Sequence, residues 1–326
     1  MLLTLLFLSF GPVLVLAASD QDLDEWRLFK EKHGKVYESE EEEAKRFGIF
    51  KTNMEEARKL NLEHEGMATY GATVFSDLTP EEFEKKHTMD TEVLRSQISN
   101  VTESFYLPEA SQRYAPDSID WRNRVLGECA SCYIFATVAA VEDHAKRRSP
   151  NQDFDLSEQQ IVSCGNVGGC FTGWMHKALE YIQKDGLMYT RDYPYVSGKT
   201  RGNGQCLYNK NAPRVQIRGF QVIKSGNEDD VKEIVGTLGP VAVPIDMRTP
   251  EYQAYQGGIM SARNCHGPRA TNHAVLAIGY GTENGKDFWI MKDWAGPTWG
   301  EGGYFRIERN TGNKCAIATM ASYPVM

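Results

Sequence analysis

The sequence predicts an α+β fold, and three observations carry that prediction. Residues 20 to about 114 are highly charged and helical in period, residues 130 to about 190 are again helix-rich, and alternating or β-branched runs dominate after Pro213. Helices first and antiparallel strands later place the two kinds of element in separate layers. With 326 residues, 41% of them hydrophobic and 25% charged, the chain has apolar material for one or two globular cores. Its formal net charge of −8 is offset by no basic stripe, which argues against a nucleic-acid partner. Much of the acidic excess lies in Glu40 to Glu43, Glu55 and Glu56, as on a solvated helix face.

Met1 to Ala18 is an apolar run ending in Val15-Leu16-Ala17-Ala18, so residues 1–18 are expected to be a secretory signal peptide cleaved after Ala17 or Ala18. No later segment is apolar enough to span a bilayer. Glu42, Arg46, Ile49, Phe50, Asn53, Ala57 and Asn61 recur at spacings of three or four, which puts them on one helical face. Thr79-Pro80-Glu81-Glu82 supplies an N-cap, a proline in the first turn and a glutamate at the capping-box position, so a short helix starts there. Residues 88 to 114 are polar and are expected to form an exposed, cleavable linker; their sequon Asn100-Val101-Thr102 makes Asn100 a candidate glycan acceptor. Ile134 to Lys146 predicts a helix. The strand candidates are Pro240 to Ile245, Ala274 to Tyr280, Phe288 to Lys292 and Gly303 to Ile307.

Secretory entry permits disulfides, and seven cysteines leave at least one thiol unpaired. Cys132 stands at the head of the predicted helix, in Cys129-Ala130-Ser131-Cys132-Tyr133. There the positive end of the helix dipole favours thiolate, the form that attacks carbonyls. Such a nucleophile needs a base; His273 lies 141 positions downstream, and Asp293 a further twenty. The plainer alternatives are a buried structural cysteine and a satisfied structural histidine. Zinc is disfavoured, because Cys129-x-x-Cys132 has no second CxxC or His pair to complete four ligands. No metal and no cofactor are expected.

A nucleophilic Cys with His and Asn or Asp about 130–150 residues on is a papain-type spacing. On these residues the chain resembles a cathepsin L-type, papain-family cysteine protease in precursor form, over nearly its whole length. Glu42, Arg46, Phe50, Asn53 and Asn61 are similar to the interrupted motif of cathepsin L-type propeptides, with Ala57 where the family usually has Ile. Gly71-Ala72-Thr73-Val74-Phe75-Ser76-Asp77 is similar to the second propeptide motif, with Thr73 for the usual Asn. The resemblance implies a helical inhibitory propeptide over residues 19–114 and a papain-like peptidase domain over 115–326. That domain would have a helical left lobe and a barrel-like antiparallel right lobe, with Cys132 and His273 facing each other across the cleft.

The resemblance further implies Cys132 as nucleophile, His273 as base and then acid, and Asp293, in place of the family's Asn, as the group that orients the ring. A carboxylate there also stabilises imidazolium, so the His273 pKa is expected to be raised. By resemblance the disulfides pair Cys129 with Cys170, Cys164 with Cys206 and Cys265 with Cys315, leaving Cys132 free. Gly173 would pair with the substrate backbone. Trp174, Met175, Thr271 and Met320 would line the pocket for the second residue before the cleaved bond, favouring hydrophobic side chains.

Several positions depart from the family pattern. The stretch from Trp121 to Cys129 is roughly seven residues short of that pattern, and Leu126 takes the place of the oxyanion-hole Gln. Loss of one such donor costs about 10²–10³ in rate. Ala295 stands where relatives keep a Trp, with Trp294 one position early. Ala130 replaces a Gly beside the nucleophile, where a Cβ conflicts with a positive φ. Thr172 also replaces a Gly, and Tyr133 a Trp. The expectation is a cysteine endopeptidase made as a secreted or lysosomal zymogen, acting on protein or peptide substrates. Its own propeptide is its inhibitor, cystatin-type proteins are further candidate inhibitors, and it is expected to be a monomer. The alternative is a papain-fold binding or inhibitory protein with little catalysis, because of Leu126.

Overall fold

The computed structural model describes residues 19–98, 129–223 and 226–326. The expected signal peptide, Asn100, Trp121 and Leu126 lie outside the described residues. Two helices open the chain, α1 (Asp20–His33) and α2 (Glu40–Glu63). Ser19 and Asp22 form a capping box on α1, and Ser39 accepts the Glu42 N–H at the start of α2. Trp26, Phe29 and Phe50 lock the two helices together, with ring centroids 5.0–5.3 Å apart.

The polar residues of α2 act as a clamp on the chain that follows. Arg46 donates to Glu42, to the carbonyl of Asp77 and to both carboxylate oxygens of Glu82. Asn53 Nδ2 donates to the carbonyls of Ser76 and Leu78 at 2.8 and 2.9 Å. Asn61 exchanges two hydrogen bonds with the backbone of Tyr70. Each fixes a backbone that would otherwise be a free loop, which is the physical need behind the spacing of these residues. The clamped segment supplies β1 (Ala68–Tyr70) and α3 (Pro80–His87), the latter capped by Thr79 and Glu82 as its sequence predicts.

Residues 88–98 are a correction to the expected exposed linker. They form α4 (Thr91–Gln97), N-capped by Asp90, and bury Met89, Leu94 and Ile98. The average polarity of the stretch concealed three apolar side chains that pack on the following domain.

That domain begins with α5 (Cys132–Arg148), α6 (Glu158–Cys164) and α7 (Met175–Asp185). Then come β2 (Leu187–Met188), α8 (Ser197–Thr200), β3 (Arg214–Val215), β4 (Gly219–Ile223) and α9 (Glu228–Thr237). It ends with β5 (Val241–Ile245), α10 (Pro250–Ala254), β6 (Tyr255–Met260), β7 (His273–Glu283), β8 (Lys286–Lys292), β9 (Tyr304–Glu308) and β10 (Ala321–Val325). Eight strands form one sheet in the order β1-β6-β9-β8-β7-β5-β10-β4, antiparallel except where β6 meets β9. The N-terminal region extends it, since Ala68 pairs with Gly258 and Tyr70 with Tyr255. One apolar core joins the N-terminal helices to strand residues such as Trp289 and Phe305. A second gathers α5 and α7 around Trp174, Met320 and Trp294, and Met89, Leu94 and Ile98 belong to it.

Candidate active site

α5 carries Cys132 at its first turn. Ser131 is the N-cap but makes no side-chain capping bond. Among the described residues no hydrogen bond takes the Cys132 backbone N–H, so that donor remains available to a developing oxyanion. Lys146, Arg147 and Arg148 occupy the last turn, the end that favours cations. The helix is buried from Cys132 to Ala145, which ties Cys132 to a rigid core. Ala130 has no positive φ, so its Cβ costs nothing in backbone strain, contrary to the sequence expectation.

β7 begins with His273 and β8 ends just before Asp293, and these strands are neighbours in the sheet. His273 Nε2 lies 3.0 Å from Asp293 Oδ2, with both side chains buried. Asp293 Oδ1 accepts the backbone N–H groups of Trp294 (2.6 Å) and Ala295 (3.1 Å), which fixes the carboxylate. Nδ1 of His273 has no conventional hydrogen-bond partner among the described residues. The ring's remaining polar side-chain contact is with Cys132. Burial disfavours a charged ring, but the charges of Asp293 and Cys132 and the hydrogen bond to Asp293 outweigh it. His273 is raised to about 10. The arrangement favours a protonated imidazole beside Cys132, ready to act as an acid.

Trp294, the indole one position early, is almost fully buried. It donates through Nε1 to the Ala274 carbonyl and packs against Phe135. The ring beside His273 is Tyr252 of α10, centroid to centroid 6.0 Å. Nothing in the sequence pointed to Tyr252, because its only local signal is a Thr249-Pro250 helix start.

The expected substrate wall is occupied by the N-terminal region. Trp174, Met175, Thr271 and Met320 are fully or almost fully buried, and Met89 shares a core with Trp174, Met175 and Met320. The Met89 N–H donates to the Asn272 carbonyl at 2.6 Å, and the Asp90 N–H to Thr172 Oγ1 at 2.9 Å. The N-terminal segment is thus hydrogen-bonded like a peptide between the two walls that carry Thr271 and Gly173. A Cβ on Gly173 would lie 2.4 Å from the Val167 carbonyl and 2.5 Å from the Tyr133 ring, so only glycine fits. The Thr that replaces a Gly at position 172 gives the N-terminal segment an anchor.

A cavity of about 860 Å³ lies between the N-terminal region and the His273–Asp293 pair, lined by His87, Tyr252, His273, Asp293 and Ala295 among others. His87 packs on Phe75 and Phe83. Burial, followed by the charges of Lys86, His273 and Lys35, lowers its pKa to about 4. Three disulfides staple the domain: Cys129–Cys170, Cys164–Cys206 and Cys265–Cys315, with Cys132 the free thiol. Among the described residues no three His, Cys, Asp or Glu side chains cluster to hold a metal, and no helix is long and apolar enough to cross a membrane.

A buried Cys–His–Asp line between a helical layer and a sheet, with an N-terminal segment laid across it, defines a thiol protease held in precursor form. Residues 115–325 match the family model described as papain family cysteine protease, and residues 26–83 match the cathepsin propeptide inhibitor domain. The chain belongs to the papain family of cysteine proteases and is a zymogen of cathepsin L-like type. A cathepsin L-like proteinase of Fasciola hepatica is 36% identical, with 99% of this chain and 98% of the relative covered. Cathepsin K of Mus musculus is 35% identical, with 97% of each chain covered. Digestive procathepsin L2 from the Tenebrio molitor larval midgut superposes with a TM-score of 0.80 at 32% identity, over 94% of this chain and all of that one. These likenesses give the alternative of a silent binding protein no support over a working protease. They also accord with the α+β fold class read from the sequence and with the papain-like fold that the resemblance implies.

Proposed function

We propose that Cys132, His273 and Asp293 are the catalytic set of this protease, and that residues 19–114 inhibit the domain of residues 115–326 until they are removed. The observation that carries the reading is the His273–Asp293 contact at 3.0 Å beside a free thiol at a helix N-terminus. Cys132 thiolate attacks the scissile carbonyl, and its own backbone N–H receives the oxyanion. His273 gives its proton to the leaving amine, and a thioester joins the acyl group to Cys132. Water, deprotonated by His273, then hydrolyses the thioester and restores the pair. Gly173 pairs with the substrate backbone, while Trp174, Met175, Thr271 and Met320 select a hydrophobic side chain at the second position before the cleaved bond. Met89, held on this wall in the precursor, marks the kind of side chain it accepts.

We assign the enzyme to the lysosome or the extracellular space, as a monomer open to cystatin-type inhibitors, with Asn100 glycosylated. The decisive experiment is turnover of a fluorogenic peptide with a hydrophobic residue at that position, at about pH 5 to 7, beside Cys132→Ala. Turnover that the variant lacks supports the assignment. A folded, processed wild type that alkylates at Cys132 yet never turns over peptide would refute it.

A further inference from the structure

Thr172 makes a contact that the catalytic scheme above does not use. Its Oγ1 accepts the backbone N–H of Asp90 at 2.9 Å. Asp90 is the residue after Met89, whose side chain shares a core with Trp174, Met175 and Met320. The loop beneath fixes where that hydroxyl stands. The Cys129–Cys170 disulfide and the 2.8 Å bond from the Cys170 N–H to Asn203 Oδ1 hold Cys170, and the Phe171 N–H donates to the Gly168 carbonyl at 3.2 Å. The Thr172 carbonyl lies so near Gly168 that a Cβ there would come within 2.3 Å of it. Every one of these groups belongs to the peptidase domain, so Thr172 keeps its place when the N-terminal region leaves. Its half-buried hydroxyl then faces the cleft without Asp90.

What the hydroxyl meets next follows from the direction of the chain. His87 lines the cavity with His273 and Asp293, and Met89 lies beyond it on the Trp174 wall. The N-terminal segment thus passes the His273–Asp293 pair before it reaches that wall. A substrate in the scheme above reaches the wall first and Cys132 second, so it runs the other way. The amide at the place of the Met89–Asp90 peptide is then the one on the N-terminal side of the residue in the hydrophobic pocket. A hydroxyl both donates and accepts, so it serves the carbonyl or the N–H of that reversed amide alike. The glycine of the family pattern has no side chain to offer there. We propose that Thr172 is a substrate-binding residue: its hydroxyl hydrogen-bonds the amide that precedes the residue in the hydrophobic pocket, and so favours peptides that extend beyond that pocket.

The proposal rests on the protease reading above, and its test compares a long substrate with a short one. The long one carries three residues before the cleaved bond; the short one is an N-acetyl amino-acid nitrophenyl ester, which ends before the pocket. Both are given to processed enzyme, with active sites counted by alkylation of Cys132. Thr172→Val keeps the side-chain shape and removes the hydroxyl, whereas Thr172→Ser keeps the hydroxyl. Thr172→Val should lower kcat/KM on the long substrate about three- to ten-fold and leave the ester within about two-fold of wild type. Thr172→Ser should stay near wild type on both. No loss on the long substrate, an equal loss on both, or a loss in Thr172→Ser as large as in Thr172→Val overturns the proposal. A wild type that cleaves neither substrate would overturn the protease reading and this proposal with it, so the wild-type control tells the two failures apart.

Discussion

Replacing Asp293 by Asn removes a charge but keeps an acceptor, so it separates electrostatics from geometry at His273. Nε2 and Oδ2 are 3.0 Å apart and both side chains are buried. With charge centres about 4 Å apart and an effective dielectric of about 20, the attraction is about 4 kcal/mol, or about three pK units. An amide oxygen returns part of this, so His273 should fall by about one to two units from its raised value of about 10. Imidazolium is the form the thiolate needs, so the alkaline limb of the kcat/KM profile should move to lower pH by that amount. The assay is the pH profile of peptide turnover for wild type and Asp293→Asn, with alkylation of Cys132 to count active sites. An alkaline limb that stays put or moves upward would show that the carboxylate does not hold the ring, and the reasoning would fail.

Because the folded His273 value lies above the unfolded one, its stabilisation is complete below about pH 6.5 and fades as pH rises towards about 10; the melting temperature of wild type should fall more across that window than that of Asp293→Asn. His87 is shifted the other way, to about 4, so acidification from about pH 6.5 towards 4 should loosen the docked N-terminal region. His87→Phe should flatten that acid dependence of precursor proteolysis. Arg46→Ala removes the fork that holds Glu82, Glu42 and the Asp77 carbonyl, and should cost the precursor about 1.5–3 kcal/mol in denaturant melts. Gly258 has φ +85°, and a Cβ there would lie 2.3 Å from the Met67 carbonyl. Gly258→Ala should therefore destabilise the precursor by more than about 1 kcal/mol while leaving kcat of the processed enzyme near wild type.

The order of helices and strands was legible because each carried its own period: α2 in residues spaced by three or four, β7 and β8 in alternating or β-branched runs. The α3 start was legible from Thr79 and Glu82, whose side chains do in space what their spacing implies. His273 and Asp293 were legible as a pair through the papain-type spacing from Cys132, and adjacent antiparallel strands bring these residues twenty apart within reach. What stayed hidden depended on tertiary contact. Met89, Leu94 and Ile98 looked like stray apolar residues in a polar stretch until a facing wall existed to bury them. Tyr252 was invisible because its meaning lies beside His273, 21 positions away, and no local period records that distance. Trp294 stands one position early against the family pattern, and the sequence alone does not say where its indole goes. Its Nε1 takes the Ala274 carbonyl, a partner supplied by the sheet.

The pairing of β1 with β6 has a consequence for the life of the enzyme after the N-terminal region has gone. Departure of Ala68–Tyr70 turns an interior ladder into a naked sheet edge, the kind of surface that recruits stray strands and seeds aggregation. Here the unveiled ledge is a poor template. It is only a few residues long, its register is already broken between Thr69 and Tyr70, and it presents Gly257 and Gly258 rather than β-branched side chains. Glu301 also remains behind to hold the Gly258 N–H at 2.9 Å. The edge is thus sticky enough to accept one tailored guest during folding and too irregular to accept many others once that guest has left.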